Sequence, residues 1–288
     1  MAAMSRAASP ASYCADAVKA ADSDRYLASL FAPPARRAHL LALYAFNVEV
    51  AKVAETVSQP IMGEMRLEWW RETVEAIHAG TPRSHPVAEA LAEAVAAADL
   101  PLQPFLTLLD ARRADVDLEP FGTDAALEAY CAATASGLMT LAAMSAAPSA
   151  DREALAAAAE PAGKAWALTG LLRALPFQAS RGRVSLSRET LERHGGSAAE
   201  IRLGRSTPAL RNAMQEMAER ARLHLAEARR LLAANREAPP AVFLPIALCP
   251  AYLDRIERPG FDPFRDSTEI ALLRRQLTLL WRGLLGRN

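Results

Sequence analysis

Three arginines in the second half of the chain, Arg173, Arg181 and Arg183, carry the side-chain chemistry of an anion site. A guanidinium group stays charged at all physiological pH values and donates paired hydrogen bonds that match carboxylate or phosphate oxygens. A site built from these residues would hold an anionic group such as the phosphate of a lipid. Alternatively, the same arginines form ion pairs with acidic residues on neighbouring helices, and the sequence leaves both interpretations open.

A group of acidic residues, Glu64, Glu68, Glu72 and Glu75, recurs at helical spacing. Residues three or four positions apart lie on one face of a helix, so this pattern predicts an acidic stripe. The stripe, with Glu64 and Glu68 near its start, is a candidate partner surface. The alternative is a solvated face on which Arg71 pairs with Glu68 or Glu75.

Two further segments are candidates for contact with a membrane or a partner helix. Trp69 and Trp70 are neighbours and therefore point about 100° apart on a helix, so we expect one in the core. The other would be an exposed anchor, and Trp69 is the candidate. The segment 220–231 interleaves arginines with leucines such as Leu223, a pattern that indicates either peripheral membrane contact or a solvated outer helix.

Metal-binding patterns are weak. Glu75 and His78 have the Glu-x-x-His spacing of di-iron bundles, but no second motif accompanies them. The three cysteines, Cys14, Cys131 and Cys249, are far apart and lack metal-ligand spacing, which indicates a reducing compartment. We expect neither a metal ion nor a cofactor.

The elements that must position these residues are helices, because no strand pattern alternates convincingly while helical periodicity dominates. Asp124 is expected to cap its helix, and Pro176 to end or kink the long helix that contains it. We therefore predict an all-α, single-domain bundle around a central cleft, formed by residues 13–288 after a disordered tail at residues 1–12. The main predicted helices cover about residues 34–57, 63–79, 85–98, 104–117, 124–146, 151–177, 208–234 and 267–285.

Composition bounds the function. Basic and acidic residues balance at 33 each, which argues against a nucleic-acid binder driven by charge. The apolar run at residues 241–253 is too short to span a bilayer and contains two prolines, so no transmembrane helix is expected. The first residues are a poor signal peptide, and we expect a cytoplasmic protein with at most peripheral contact at the inner membrane, or a matrix protein if the source is eukaryotic.

Three segments carry a resemblance to a known family. They are residues 36–46, which include Leu-Tyr-Ala-Phe at 43–46, residues 130–136, and residues 163–186, which include Gly-Arg at 182–183. In this order, on predicted helices, they resemble the squalene/phytoene synthase family over roughly residues 24–285. The resemblance implies an isoprenoid-synthase fold with two carboxylate clusters that hold magnesium against a prenyl diphosphate.

The resemblance fails at those clusters. The three acidic positions of the first cluster hold Ala51, Lys52 and Glu55, and both aspartate positions of the second hold Ala174 and Gln178. Two like charges about 4 Å apart repel by roughly 4 kcal/mol at an effective dielectric of about 20, and a divalent ion doubles that repulsion. A lysine with one carboxylate therefore argues against a magnesium cluster.

A closer resemblance covers residues 45–51 and 57–58, the segment 63–75, the start of the next helix at 85–88, and residues 173–177. These segments resemble a subfamily that assembles respiratory complex I, and its members also lack the aspartate pairs. The resemblance implies a non-catalytic fold that assists the membrane arm of NADH:ubiquinone oxidoreductase.

We therefore expect an assembly factor whose cleft binds a lipid, a prenyl group or a partner's transmembrane segment. The residues expected to line the cleft are Tyr44, Phe46, Asn47, Leu171 and Arg173. The first alternative is an active head-to-head prenyl transferase with a rearranged metal site. The second is a lipid carrier without a protein partner.

Overall fold

The computed structural model describes residues 9–57 and 59–285 of the chain. Within these ranges the protein consists of helices joined by turns and loops, with no strand. The N-terminal helices are α1 (Pro10–Ala21), α2 (Ser23–Ser29), α3 (Pro34–Ala51), α4 (Val53–Thr56), α5 (Pro60–His78), α6 (Pro86–Ala98) and α7 (Gln103–Arg112). The remaining helices are α8 (Asp124–Cys131), α9 (Gly137–Ala146), α10 (Arg152–Ser180), α11 (Arg188–Arg193), α12 (Ala198–Arg202), α13 (Pro208–Ala234), α14 (Pro240–Phe243), α15 (Cys249–Ile256) and α16 (Leu272–Leu285).

Helix α1 was not among the helices that the sequence pattern predicted. The Ser9 hydroxyl caps it by accepting from the amide of Ser12, and Pro10 occupies the first turn, where its missing amide proton is not needed. Residues 10–12 of the predicted tail are therefore helical, while residues 1–8 lie outside the described ranges. Cys14 and Val18 on this helix are fully buried, so the helix is part of the domain core.

The core is a continuous cluster of apolar side chains from most of the helices. Helix α3 is buried along most of its length, and Phe46 packs edge-on against Trp70 of α5 and Phe105 of α7, with ring centroids 5.4 and 5.6 Å away. Helices α10 and α13 pack along each other on the opposite side. This helix-on-helix packing confirms the predicted all-α, single-domain bundle.

Helices α8 and α9 form one continuous run joined by a π-helical turn, Ala132–Ser136. The turn lies against α10, where the Ser136 hydroxyl donates to the carbonyl of Glu160 over 2.7 Å. A Cβ on Gly163 would sit 2.4 Å from the Ser136 Cα, so only glycine allows these two backbones to approach. Helix α10 is therefore fixed directly against the π-helical turn.

The prediction that Asp124 caps α8 is wrong by one residue. The Thr123 hydroxyl accepts from the amide of Ala126 and is the N-cap. The Asp124 carboxylate is left to accept hydrogen bonds from Ser187 and from Thr190, the latter over 2.5 Å. Asp124 thus ties the start of α8 to α11.

The prediction that Pro176 ends α10 early is wrong, because the helix continues to Ser180. Proline removes one backbone hydrogen bond, which costs about 3 kcal/mol in an isolated helix. Here the flanking residues Leu172, Leu175 and Ala179 are buried in the core, and tertiary packing offsets that loss.

One helical stretch, Asp124–Ala146, is long and apolar enough by composition to cross a membrane. Of the 18-residue apolar part of this stretch, 61% is buried inside the protein. The apolar character of this stretch therefore matches a core helix of the bundle, and it is weak evidence for a membrane span.

Candidate functional site

A pocket of about 370 Å³ lies where the end of α4, the turn after α7 and the turn after α10 meet. Four charged residues line it: Glu55, Asp115, Arg181 and Arg183. Glu55 is the one acidic residue left at the first degenerate cluster, and the two arginines belong to the predicted anion site. The structure therefore brings part of the predicted site together at the position where the fold has room for a ligand.

The turn after α10 aims both arginines into this pocket. The amide of Gly182 donates to the carbonyl of Ala179, and the amide of Arg183 donates back to the carbonyl of Gln178, each over 2.9 Å. Gly182 has a φ of 77°, in the left-handed region that favours glycine. This is a Schellman turn, and it places Arg181 and Arg183 on either side of its glycine.

Arg181 joins the two sides of the pocket. Its Nη1 donates to the backbone carbonyl of Glu55 over 3.0 Å, which links the end of α10 to α4. Ala51 is the last residue of α3, and Lys52, its exposed C-cap, separates α3 from α4. The helical segment that would carry the first carboxylate cluster is thus interrupted at Lys52. Arg181 bonds to the carbonyl of Glu55, the last position of that cluster.

A polar network lies behind the pocket wall and connects four helices or turns. Arg112 Nη1 lies 2.9 Å from both the Asp115 carboxylate and the Tyr130 hydroxyl, and its Nη2 lies 3.3 Å from the Asn47 side-chain oxygen. The Tyr130 hydroxyl donates to Asp115 over 2.7 Å, and Arg183 donates to the same carboxylate oxygen over 2.9 Å. Asp115 therefore accepts from three donors.

These contacts fix the charge state of the network. Burial alone would lower the pKa of Arg112, but its contacts with Tyr130 and Asp115 raise that pKa above its ordinary value. Burial raises the pKa of the Tyr130 hydroxyl, and the nearby Asp115 carboxylate raises it further. Arg112 accordingly stays positive and Tyr130 neutral at any physiological pH.

The charge balance of the pocket and its wall is unfavourable for divalent cations. Glu55 and Asp115 supply two negative charges, whereas Arg112, Arg181 and Arg183 supply three positive ones, a net of +1. Magnesium is held by several carboxylates together with substrate phosphates. Within residues 9–57 and 59–285, no three His, Cys, Asp or Glu side chains are grouped so that they could hold a metal ion.

The positions of the second degenerate cluster, Ala174 and Gln178, lie half-buried on α10 and offer no carboxylate. Leu171, one turn earlier, is half-buried and packs against the core, and its carbonyl accepts from the Ser185 hydroxyl over 3.3 Å. This face of α10 therefore contributes packing and hydrogen bonds in place of metal ligands.

Arg173 belongs to a different cluster from Arg181 and Arg183. Its guanidinium lies 3.7 Å from the ring centroid of Tyr252 and 2.7 Å from Glu269, and 3.9 Å separate it from Asp24. It does not line the pocket described above. Of the three predicted anion-binding arginines, Arg181 and Arg183 share a pocket. Arg173 instead contacts two carboxylates and the Tyr252 ring.

The expected cleft residues of α3 are packed in the interior. Phe46 was expected to line the cleft. It is fully buried and packs in the aromatic core instead. Tyr44 is 2% exposed, lies under the guanidinium of Arg25, and burial raises its pKa to about 12. Asn47 is buried and engaged by Arg112.

The predicted partner surface on α5 is a set of ion pairs. Glu64 and Glu68 lie 3.5 and 3.3 Å from Arg113, and Glu68 also lies 3.7 Å from Arg71. Trp70 is buried, whereas Trp69 is half-buried and lines a groove with exposed methionines. The acidic stripe is thus largely neutralised, and a role for Trp69 in binding a partner stays a prediction.

Two residues central to the site, Arg112 and Asp115, were not singled out in the sequence. Their opposite charges are three positions apart at the end of α7, a spacing that brings side chains together on a helical turn. That signal is common on protein surfaces. Only the fold shows that this pair is half-buried and faces Tyr130 and Arg183.

Other reactive residues are occupied or protonated. Burial raises the pKa of the Cys14 and Cys249 thiols to about 11 and that of Cys131 to about 12, so none is a thiolate at neutral pH. Both ring nitrogens of His78 contact backbone carbonyls, of Val74 at 2.9 Å and of Leu100 at 3.0 Å. The Glu-x-x-His pair therefore has no free ring nitrogen for a metal.

Comparison with known proteins identifies the class that this helical bundle and its altered pocket define. Residues 18–281 match the model of the squalene/phytoene synthase family. The chain belongs to this family.

Among curated proteins, the chain is 33% identical over 272 residues to a Bos taurus protein named NADH dehydrogenase (ubiquinone) complex I, assembly factor 6, covering 93% of this chain and 78% of that one. The Homo sapiens protein of the same name is 32% identical, with coverage of 89% and 77%. Phytoene synthase 3 of Zea mays is 30% identical, with coverage of 83% and 57%.

Solved structures share the fold at lower sequence identity. A squalene synthase, HpnC from Alicyclobacillus acidocaldarius, has a TM-score of 0.72 at 22% identity, and the match covers 96% of this chain and 94% of that one. A dehydrosqualene synthase in complex with a ligand has a TM-score of 0.84 at 19% identity, with coverage of 96% for both chains. At these identities the likeness concerns the fold alone.

Proposed function

We propose that this protein is a non-catalytic member of the squalene/phytoene synthase family that assists the assembly of NADH:ubiquinone oxidoreductase. The assignment as non-catalytic rests on the hydrogen bond from Arg181 to the Glu55 carbonyl. This bond crosses the pocket in which the family resemblance would place magnesium. The relatives named as complex I assembly factors, at 32–33% identity along about nine-tenths of the chain, support the assembly part.

The electrostatics of the pocket support the same proposal. Departure of a diphosphate requires metal ions that neutralise its charge. The acidic positions of both clusters retain one carboxylate, Glu55, and Asp115 is already shared between Arg112 and Arg183. The pocket has charges suited to a single anionic group rather than to a metal–diphosphate complex, so we propose that any ligand is a lipid or prenyl phosphate bound by Arg181 and Arg183.

The partner in this proposal is a membrane-arm subunit of the oxidoreductase. The protein would act on the side of the membrane where that subunit matures, which is the cytoplasm of a bacterium or the matrix of a mitochondrion. Both assignments extend the names of the relatives and the family resemblance to this chain.

A gene deletion in the source organism tests the assembly role. We expect membranes of the deletion strain to lose NADH:ubiquinone oxidoreductase activity and fully assembled complex on native gels, with polyprenyl products unchanged. Reintroducing the wild-type gene or a Glu55→Ala variant should restore both, because no metal ligand is needed. Unchanged complex levels in the deletion strain would refute the assembly role.

An active head-to-head prenyl transferase is the second candidate, and one observation favours it: Glu55 and Asp115 line the same pocket. Purified protein incubated with farnesyl or geranylgeranyl diphosphate and magnesium should release no pyrophosphate above a protein-free blank. Release that disappears in Glu55→Ala would establish the transferase and overturn the non-catalytic assignment.

A further inference from the structure

The C-terminal helix α16 carries an apolar face that points away from the protein. Leu273, Leu277, Leu280, Trp281 and Leu284 are all exposed, with Trp281 at 67% and Leu284 at 74%. At 100° per residue these five positions fall within one half of the helix circumference. Single exposed leucines are ordinary, but a contiguous stripe of this kind marks an interaction surface.

The opposite face of α16 holds the helix in a fixed orientation. Leu279 is 1% exposed, and Gly283 lies against the ring of Phe31. Arg275 reaches across to Asp24 over 3.2 Å and donates to the Ser23 hydroxyl over 2.7 Å. The exposed stripe is therefore a consequence of how the helix is docked.

The apolar surface continues beyond the helix itself. A groove of about 460 Å³ runs between α16 and α2, lined by Leu30, Phe31, Leu277 and Leu280 among others. Leu30 is itself 43% exposed. The surface thus combines two helices and is wider than one helical stripe.

The charges beside this surface have one sign. Residues 270–288 contain four arginines and no acidic residue, although the whole chain has a net charge of zero. Arg275 is paired with Asp24 and Glu269, whereas Arg274 and Arg282 have no acidic partner within the described part of the chain. The pKa of Arg229 on α13 is lowered by burial and, in addition, by the nearby positive charge of Arg282.

We propose that α16 is a docking surface for an anionic lipid bilayer. The leucines and Trp281 would enter the boundary between headgroups and acyl chains, and Arg274 and Arg282 would lie at the level of the lipid phosphates. An amphipathic helix with basic residues beside a leucine and tryptophan face binds membranes in this way. The inference does not depend on the role in complex I assembly.

Two features favour a bilayer over other occupants. A second copy docked through the same face would bring Arg274 and Arg282 of both copies together with no acidic residue on the helix to pair them. Helix α13, the basic helix singled out from the sequence, differs because its Arg222 pairs with Glu257 and Asp254 and its Arg230 with Glu227. The charges of these two arginines are satisfied within the protein.

Vesicle co-sedimentation of the full chain tests the proposal. The vesicles are pure phosphatidylcholine or phosphatidylcholine with about a third phosphatidylglycerol. We expect binding to the anionic vesicles that weakens as salt is raised. The double variant Leu277→Gln with Trp281→Gln should bind about tenfold or more weakly, because the inserted apolar area is lost. Arg274→Gln with Arg282→Gln should lose the preference for anionic lipid.

The matched control is Leu223→Gln, which removes from α13 a leucine that is 71% exposed, compared with 55% for Leu277. It should bind vesicles as the wild type does, and circular dichroism melts should show all variants folded. Absence of wild-type binding, or equal binding by the Leu277/Trp281 variant, would overturn the proposal. So would a wild-type dimer in light scattering that this variant dissociates without any vesicle binding, because a second copy would then cover the face.

Discussion

The Asp115 carboxylate accepts hydrogen bonds from three donors, and its two guanidinium partners differ in the number of other groups that they contact. Arg112 connects it to Tyr130 and Asn47 inside the fold, whereas Arg183 reaches it from the pocket rim. The loss of Arg112 would take a donor from Asp115, Tyr130 and Asn47 together, whereas the loss of Arg183 would take one from Asp115 alone. The two arginines should therefore differ sharply in their importance to stability.

We expect Arg112→Met to destabilise the protein by roughly 3–5 kcal/mol, because Asp115 and the Asn47 oxygen lose their shared donor. Arg183→Met should cost about 1–2 kcal/mol, since Asp115 keeps Arg112 and Tyr130. Urea unfolding at neutral pH measures both. Equal losses for both arginine variants would contradict this account.

Asp124 provides a pH-dependent contribution to stability. Burial alone would raise the pKa of this carboxylate, but hydrogen bonds from Ser187 and Thr190, together with Arg220, hold it below its ordinary value. A depressed folded-state pKa means that the ionised group stabilises the protein above its unfolded pKa of about 3.9, and that this stabilisation disappears as pH falls through the folded-state value.

The expected result is a difference in slope between wild type and Asp124→Asn. The wild type should be more stable at neutral pH, and its free energy of unfolding should fall more steeply as pH drops from about 5 to about 2, so that the two curves converge. Urea titrations across this range measure it. Parallel curves would show that Asp124 does not titrate differently in the folded state.

At the scale of elements, the contact between α10 and the π-helical turn depends on Gly163. We expect Gly163→Ala to destabilise the protein by about 1–3 kcal/mol or more, because the added methyl group meets the Ser136 backbone, which cannot rotate away. Thermal and urea unfolding measure the change.

The matched control is Gly170→Ala on the same helix, where an added Cβ meets nothing within 4 Å. Alanine has the higher helix propensity, so this variant should be as stable as the wild type or more stable by up to about 1 kcal/mol. If both glycine variants lost similar stability, the close approach at Ser136 would not be the cause.

Much of the helical framework could be predicted because each long helix shows its own period and its own breakers. Gly80 and Pro82 end α5 as expected, and the long helices α10 and α13 were placed within a few residues. Helix α1 was missed because the segment before it contains mainly alanine and serine and resembles a disordered tail. Pro176 misled the prediction because the packing that supports the helix around it is a property of the fold.

The candidate site was harder to predict than the helices. Sequence comparison with the family pattern located Glu55, Arg181 and Arg183, which share one pocket. It grouped Arg173 with them, although the partners of Arg173 come from segments far away in the chain. Which arginine meets which carboxylate depends on the tertiary arrangement of helices, and no local spacing encodes it.

At the scale of the whole molecule, ligand binding and stability are linked. A ligand present at 100 times its dissociation constant stabilises the folded state by about 2.7 kcal/mol. For a protein of this size that would raise the melting temperature by several degrees. We expect magnesium to add less than about 1 °C to any increase that farnesyl diphosphate produces alone, measured by calorimetry. An increase of several degrees that requires both components would contradict the charge argument at the pocket.

The bond from Arg181 to the Glu55 carbonyl also bears on how this protein could change in evolution. A new aspartate at position 51 or 52 would lie within about one helical turn of that guanidinium and would pair with it before it met a cation from solution. A single new carboxylate would therefore be neutralised within the protein, and a metal site at this position needs coordinated changes on α3, α4 and α10.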